Sequence, residues 1–194
     1  MLFIIDMQNQ YINPESKRYI KGADNLVPGI MDKIKDYEKR GDQVFYTADI
    51  NLLDNSKVNQ KSEVKIDKNN DRKALKKAEN QLSLKSKINS EPYGNLKPLL
   101  EKHNKIKKAY YAIPPETLLE IQQRFKDEKT IINKIEVLGV ETNICVLANA
   151  ICLQSAFPQA TIIVDAVLCM SQDKTYHEYA LKTMESLIVC CSTL

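Results

Sequence analysis

The chain has 194 residues, enough for one domain with a sizeable core. A formal net charge of +3 is too small to point to nucleic acid, no apolar run is long enough to span a membrane, and no secretory segment is evident. Five cysteines, Cys145, Cys152, Cys169, Cys190 and Cys191, follow neither a disulfide-framework nor a zinc spacing, which fits a reducing, cytoplasmic setting.

Residues 2–5 read as a buried strand, and their continuous apolar character suits a parallel sheet covered on both faces. Met1 leads directly into it, so no leader segment is expected. Residues 7–24 are polar and read as irregular. Over residues 27–40, Val27, Ile30, Met31, Ile34 and Tyr37 recur at helical spacing, and Gly41 is a fitting stop. Residues 43–47 form a second strand, followed by Ala48 and Asp49. Residues 54–87 are rich in lysine and asparagine; Ala74, Leu75, Ala78 and Leu82 offer one face of a short helix. This charge run reads as a solvated insertion, with a lid as the other reading.

Residues 92–103 suggest a short helix over Leu96, Leu99 and Leu100. Residues 106–111 are a third strand. Pro114-Pro115-Glu116-Thr117 then starts a helix with Leu118, Ile121 and Phe125 on one face. A fourth strand at 131–138, a helix at 143–156, a fifth strand at 160–165, a helix at 173–186 and a sixth strand at 187–191 complete the chain. The alternation predicts one α/β domain over residues 1–194, with six strands in a mostly parallel sheet and right-handed crossovers.

Two stretches carry the chemistry. The first strand runs straight into Asp6-Met7-Gln8-Asn9-Gln10-Tyr11. The fourth ends in Gly139-Val140-Glu141-Thr142-Asn143-Ile144-Cys145-Val146, before an alanine-rich helical run. Thr142 and Asn143 are good N-cap residues, which puts Cys145 in the first helical turn. There, unpaired amides and the helix dipole favour a thiolate of lowered pKa. Taken alone, an unpaired cysteine is more often a small core hydrophobe. In an open parallel sheet, however, ligands bind beyond the carboxyl ends of the strands, and Asp6 and Cys145 both fall there.

The pair of motifs, D-x-Q-x-x-[FY] after an apolar strand and G-V-x-T-[DN]-x-C-V after a later one, resembles the isochorismatase-like cysteine hydrolases. That superfamily includes nicotinamidase, N-carbamoylsarcosine amidase and isochorismatase. The resemblance covers nearly the whole chain and implies a three-layer α/β/α domain. It also implies a nucleophile at Cys145, with Asp6 as the carboxylate that takes its proton and later activates water. A lysine after the middle strand completes the set. Here Lys107 and Lys108 compete, and successive strand residues face opposite sides. Aligning Tyr111-Ala112 on the family's aromatic–small pair selects Lys108; aligning Ala112-Ile113 on an alanine–phenylalanine pair selects Lys107. The first register leaves the more usual spacing to the Pro114-Pro115 helix start. By the same resemblance, the backbone amides of Glu141 and Cys145 form an oxyanion hole, and the Val140–Glu141 peptide is cis. Tyr11 and Ile113 line the substrate, with Leu52 and Leu53 beside them.

In one place the chain departs from the family. Nicotinamidases hold a divalent metal through an Asp-x-His pair after the second strand and a later histidine. This chain has Asp49 but Asn51, and Lys87, Ile88 and Asn89 lie near the third position. His103 and His177 fall on segments expected to face solvent. A lone carboxylate with an amide is a poor donor set for zinc or iron. The expectation is therefore no metal and no cofactor, with Lys87 as a candidate partner of Asp49. The resemblance also implies a small-molecule substrate and a homodimer or homotetramer, with no nucleic-acid or membrane partner. Three functions follow: hydrolysis of an amide or carbamoyl C–N bond, hydrolysis of a vinyl ether, or a non-catalytic scaffold. The intact cysteine, aspartate and lysine favour the first.

Overall fold

The computed structural model describes residues 1–50, 84–187 and 190–192. The expected helix and insertion at 54–83, and Asn51, Leu52 and Leu53, lie outside the described residues. The strands are β1 (Leu2–Ile5), β2 (Val44–Asp49), β3 (Asn104–Lys108), β4 (Lys134–Val140), β5 (Thr161–Met170) and the short β6 (Cys190–Ser192). They lie in the order β3-β2-β1-β4-β5-β6, and every neighbouring pair is parallel. The helices are α1 (Asn9–Ile12), α2 (Val27–Lys39), α3 (Leu84–Asn89), α4 (Leu96–Leu100), α5 (Pro115–Asp127), α6 (Leu147–Ala156) and α7 (Lys174–Ser186). No helix among the described residues is long and apolar enough to cross a membrane.

From β1 the chain winds outward through β2 to β3; from β4 it winds the other way through β5 to β6. The order therefore reverses between β1 and β4, and in open α/β sheets ligands bind beyond the carboxyl ends of the strands at such a reversal. Asp6 follows β1 there, and the Cys145 turn follows β4. With right-handed crossovers, α2 covers one face and α5, α6 and α7 the other. The packing agrees: α2 lies against α4, α5 against α6, and α6 against α7.

Sequence accounts for most of these elements. Leu2, Phe3, Ile4 and Ile5 are wholly buried, and Phe3 stacks on Phe45 of β2 with centroids 4.8 Å apart. Ile30, Ile34 and Tyr37 form the buried stripe of α2, and Leu118, Ile121 and Phe125 that of α5. Asp173 caps α7, its carboxylate accepting from the Thr175 and Tyr176 amides.

Other boundaries move, each for a local reason. Residues 7–24 are mostly turns and bends, as expected, but they include the short α1, with Tyr11, Ile12 and Ile20 buried around it, and lead into the Ala23–Leu26 3-10 turn. These turns are too short to show a helical period. β3 stops at Lys108, because residues 109–113 leave the sheet towards α6. β5 runs past Asp165 to Met170; Asp165 does not end the strand because Lys33 on α2 pairs with its carboxylate at 2.9 Å. Glu136 on β4 shares that ammonium and accepts from Tyr37 Oη at 2.8 Å, so a second charge is satisfied within the sheet.

Candidate active site

Asp6 is the first residue past β1 and is completely buried. Its φ is +50°, a left-handed conformation that aspartate tolerates better than most residues. Thr47, at the same level on β2, fixes it twice. The hydroxyl donates to Asp6 Oδ1 at 2.6 Å and accepts from the Asp6 amide at 3.0 Å. On the other side stands Gly139 of β4, with φ +120°. A Cβ there would sit 2.9 Å from the Ile5 nitrogen and 3.0 Å from its carbonyl carbon, and closer still to the carbonyl oxygen. Only glycine lets β4 approach the end of β1 this closely.

Lys108 is the last residue of β3, two strands from β1. Strands two apart are separated by about 10 Å, a gap that only a long side chain spans. Lys108 Nζ lies 2.6 Å from Asp6 Oδ2, 3.1 Å from the Tyr110 carbonyl and 3.5 Å from Cys145 Sγ. Both charged side chains of the Asp6–Lys108 pair are fully buried. Burial, the largest single cause, pulls the Lys108 ammonium down, but Asp6, Cys145 and Asp49 together push it up and the net shift is upward. Lys108 is therefore held protonated. Lys107, the alternative, points outward and is exposed.

Cys145 lies in a π-type turn, Thr142–Val146, where the Ile144 and Val146 amides both donate to the Glu141 carbonyl. The Val140–Glu141 peptide before it is cis, as the resemblance implies. The expected capping is not found. Thr142 and Asn143 lie inside the turn, and no side chain caps it. Thr142 Oγ1 is instead 2.8 Å from His177 Nδ1 on α7, and the Asn143 amide donates to Ser171 Oγ at 3.3 Å. The lowered thiol pKa is not found either. Burial pushes the Cys145 thiol well up, Asp6 adds to this, and Lys108 only partly offsets it. In this setting the resting sulfur is a thiol in hydrogen-bond contact with the Asp6 carboxylate.

The three side chains thus meet at the switch point of a parallel sheet. The family model "Isochorismatase domain" matches residues 1–193. The chain belongs to the isochorismatase family of hydrolases. A search of curated proteins finds no match. Among solved structures, the nicotinamidase from Staphylococcus aureus is 22% identical, with a TM-score of 0.71 over 99% of this chain and 97% of that one. The pyrazinamidase of Pyrococcus horikoshii in complex with zinc is 15% identical, with a TM-score of 0.72 over 100% and 98%. A cysteine hydrolase from Pseudomonas syringae pv. phaseolicola 1448A is 16% identical, with a TM-score of 0.69 over 99% and 87%. At these identities the structures share the fold with this member of the isochorismatase family.

The remaining expected site residues are placed as follows. Tyr11 is buried, and its hydroxyl donates to Asp49 Oδ2 at 2.7 Å. The Arg18 guanidinium stands 5.0 Å from the ring centroid. Ile113 is buried in the core, and its amide donates to Asn149 Oδ1 at 2.8 Å. The Glu141 carboxylate turns away from Cys145 and accepts from the Gln172 amide at 3.0 Å.

Among the described residues, the donors do not make up a metal site of the nicotinamidase kind. Asp49 is engaged by Tyr11, and Lys87, its suggested partner, is exposed on α3. Neither histidine faces solvent as expected. His103 lies 3.0 Å from Glu38, and His177 sits half-buried against Thr142. Among the described residues, no three or more His, Cys, Asp and Glu side chains group to hold a metal ion.

Sequence reasoning passed over Thr47, His177 and Asn149. The signal for Asn149 was an amide inside an otherwise apolar helical run, and for Thr47 a hydroxyl inside a buried strand. Gln8 was quoted only as part of a motif. Its amide donates to the Asp49 carbonyl at 2.9 Å and the Ser90 carbonyl at 2.8 Å, and its Oε1 accepts from the Asp49 amide at 3.0 Å.

Proposed function

We propose that this family member hydrolyses the C–N bond of a small amide or carbamoyl compound through a thioester on Cys145, without a bound transition metal. The reading rests on one juxtaposition: a buried ammonium 2.6 Å from Asp6 and 3.5 Å from the Cys145 sulfur.

As Sγ attacks the carbonyl carbon, Asp6 takes the thiol proton. A thiol held neutral until substrate arrives requires such a base within contact distance. The oxyanion that forms is held by the backbone amides of Glu141 and Cys145. Lys108 keeps Asp6 in place and stabilises charge on sulfur. Collapse breaks the C–N bond, and Asp6 passes its proton to the departing nitrogen, which leaves as ammonia or an amine. Water then enters, Asp6 takes its proton, and the hydroxide attacks the thioester. The C–S bond breaks, the acid leaves, and Asp6 returns its proton to sulfur. Tyr11 and Ile113 serve as walls that orient the substrate chain or ring.

A panel of small amides, read by ammonia release, tests this. At least one should turn over; the activity should vanish in Cys145→Ala and persist in the presence of a chelator. Mass spectrometry of the quenched enzyme should find an acyl adduct on the peptide bearing Cys145. Turnover that survives Cys145→Ala would refute the thioester route. One metal per chain, lost together with activity on chelation, would refute metal independence.

A further inference from the structure

We infer that Asn149 is a positioning residue of this site: its side-chain amide ties the loop that follows Lys108 to the turn that carries Cys145. The inference rests on the reading of Cys145 and Lys108 given above.

Asn149 is wholly buried on α6, one helical turn past the cysteine. Its Nδ2 donates to the Cys145 carbonyl at 2.7 Å and to the Tyr111 carbonyl at 3.0 Å. Its Oδ1 accepts from the Ile113 amide at 2.8 Å. The pattern needs two donors at one end of a planar group and an acceptor at the other, which a carboxamide supplies and a carboxylate or hydroxyl does not. The partners also decide the amide's orientation, since exchanging O and N would set donor against donor at Ile113.

Of loop residues 109–113, Ile113 is buried and the others are not. Tyr111 is 61% exposed and Tyr110 41% exposed, so their rings do not anchor it in the core. β3 is an edge strand, and Lys108 is its last residue. The Lys108 ammonium donates to the Tyr110 carbonyl. A continuous path therefore runs from ammonium to loop to Asn149 to the Cys145 backbone, beside the direct 3.5 Å contact of ammonium and sulfur. Loss of the carboxamide would leave the Cys145 and Tyr111 carbonyls and the Ile113 amide without this partner. It would also free the loop to carry the ammonium away from the sulfur. Among the described residues, the charged groups acting on that sulfur are Asp6 just past β1, Asp49 from β2 and Lys108 from β3, and of these Lys108 favours the thiolate.

The test reads Cys145 directly and needs no substrate. Carbamidomethylation of Cys145 is followed by peptide mass spectrometry across a pH series in the wild type, Asn149→Ala, Asn149→Thr and Leu153→Ala. Leu153 is a fully buried residue of the same helix, so its truncation reports on lost packing alone. Threonine in a helix can still bond the carbonyl four residues back but cannot reach the loop, so it cuts only the loop tie and remains usable if the alanine variant fails to fold. Both Asn149 variants should label about tenfold more slowly at neutral pH, with the profile displaced to higher pH by about one unit. Leu153→Ala should melt earlier and keep the wild-type profile. With any amide that turns over, kcat should fall about tenfold or more in the Asn149 variants while KM changes little. A wild-type profile in Asn149→Thr, or the same displacement in Leu153→Ala, overturns the inference. A displaced profile in a protein that hydrolyses no amide leaves the positioning role standing and refutes the amidase reading.

Discussion

Replacing Lys108 by methionine removes the one ammonium in the buried cluster while keeping much of the side chain's length. Asp6 then keeps its Thr47 bond but loses the partner at 2.6 Å, with both side chains of the original pair at 0% exposure. Breaking a buried pair from one side costs about 3–5 kcal/mol, because the remaining charge is left without compensation. At about 2–4 °C per kcal/mol for a chain of this size, the melting temperature should fall by roughly 6–20 °C. The double variant Asp6→Asn/Lys108→Met removes both charges and should recover most of that loss while remaining inactive. Lys107→Met, on the exposed side of the same strand, should change stability by less than about 0.5 kcal/mol. Urea melts of the wild type, Asp6→Asn, Lys108→Met and the double variant give the double-mutant cycle, with Lys107→Met as the control. A cost for Lys108→Met in the range of a surface pair, about 1 kcal/mol or less, would refute the reasoning. So would a double variant no more stable than the single one.

Gly139→Ala should destabilise by more than about 1 kcal/mol and slow any hydrolysis, because the new Cβ presses on Ile5 and displaces Asp6; an unchanged melting temperature and rate would contradict this. His177 is held below its ordinary pKa by burial, with Glu178 opposing and Lys174 adding to the effect. Its neutral form is favoured in the fold, so the unfolded chain binds the proton first, and this contribution is complete above about pH 6.5 and lost as pH falls through the folded value. Urea midpoints measured from pH 7.5 downward should fall less steeply in His177→Gln than in the wild type, and parallel curves would exclude the role. We also propose a homodimer or larger oligomer, as its family resemblance implies; light scattering at the monomer mass over a wide concentration range would refute it.

Local chemistry was enough to locate much of this molecule. A continuous apolar run marks β1 and a short one, residues 137–140, the end of β4, helical spacing marks α2 and α5, and two motifs put Asp6 and Cys145 just past strand ends on one side of the sheet. Pattern did not choose between Lys107 and Lys108. Their neighbours in sequence are alike, and only the end of β3 beside Asp49, with the reach across β2, turns Lys108 inward. Pattern also pointed the Cys145 thiol in the opposite direction. The helix-terminus argument considers one turn of chain, whereas the thiol responds to burial and to a carboxylate brought from the other end of the sequence. Thr47 and Asn149 were missed for the same reason. Each looks unremarkable in its own segment and acquires a role through partners distant in sequence, 41 residues away for Thr47 and Asp6, and 38 for Asn149 and Tyr111. Apolar periodicity and turn chemistry are properties of neighbours along the chain and can be read there. Desolvation, ion pairing and the satisfaction of buried amides depend on neighbours in space, and the tertiary structure alone decides them.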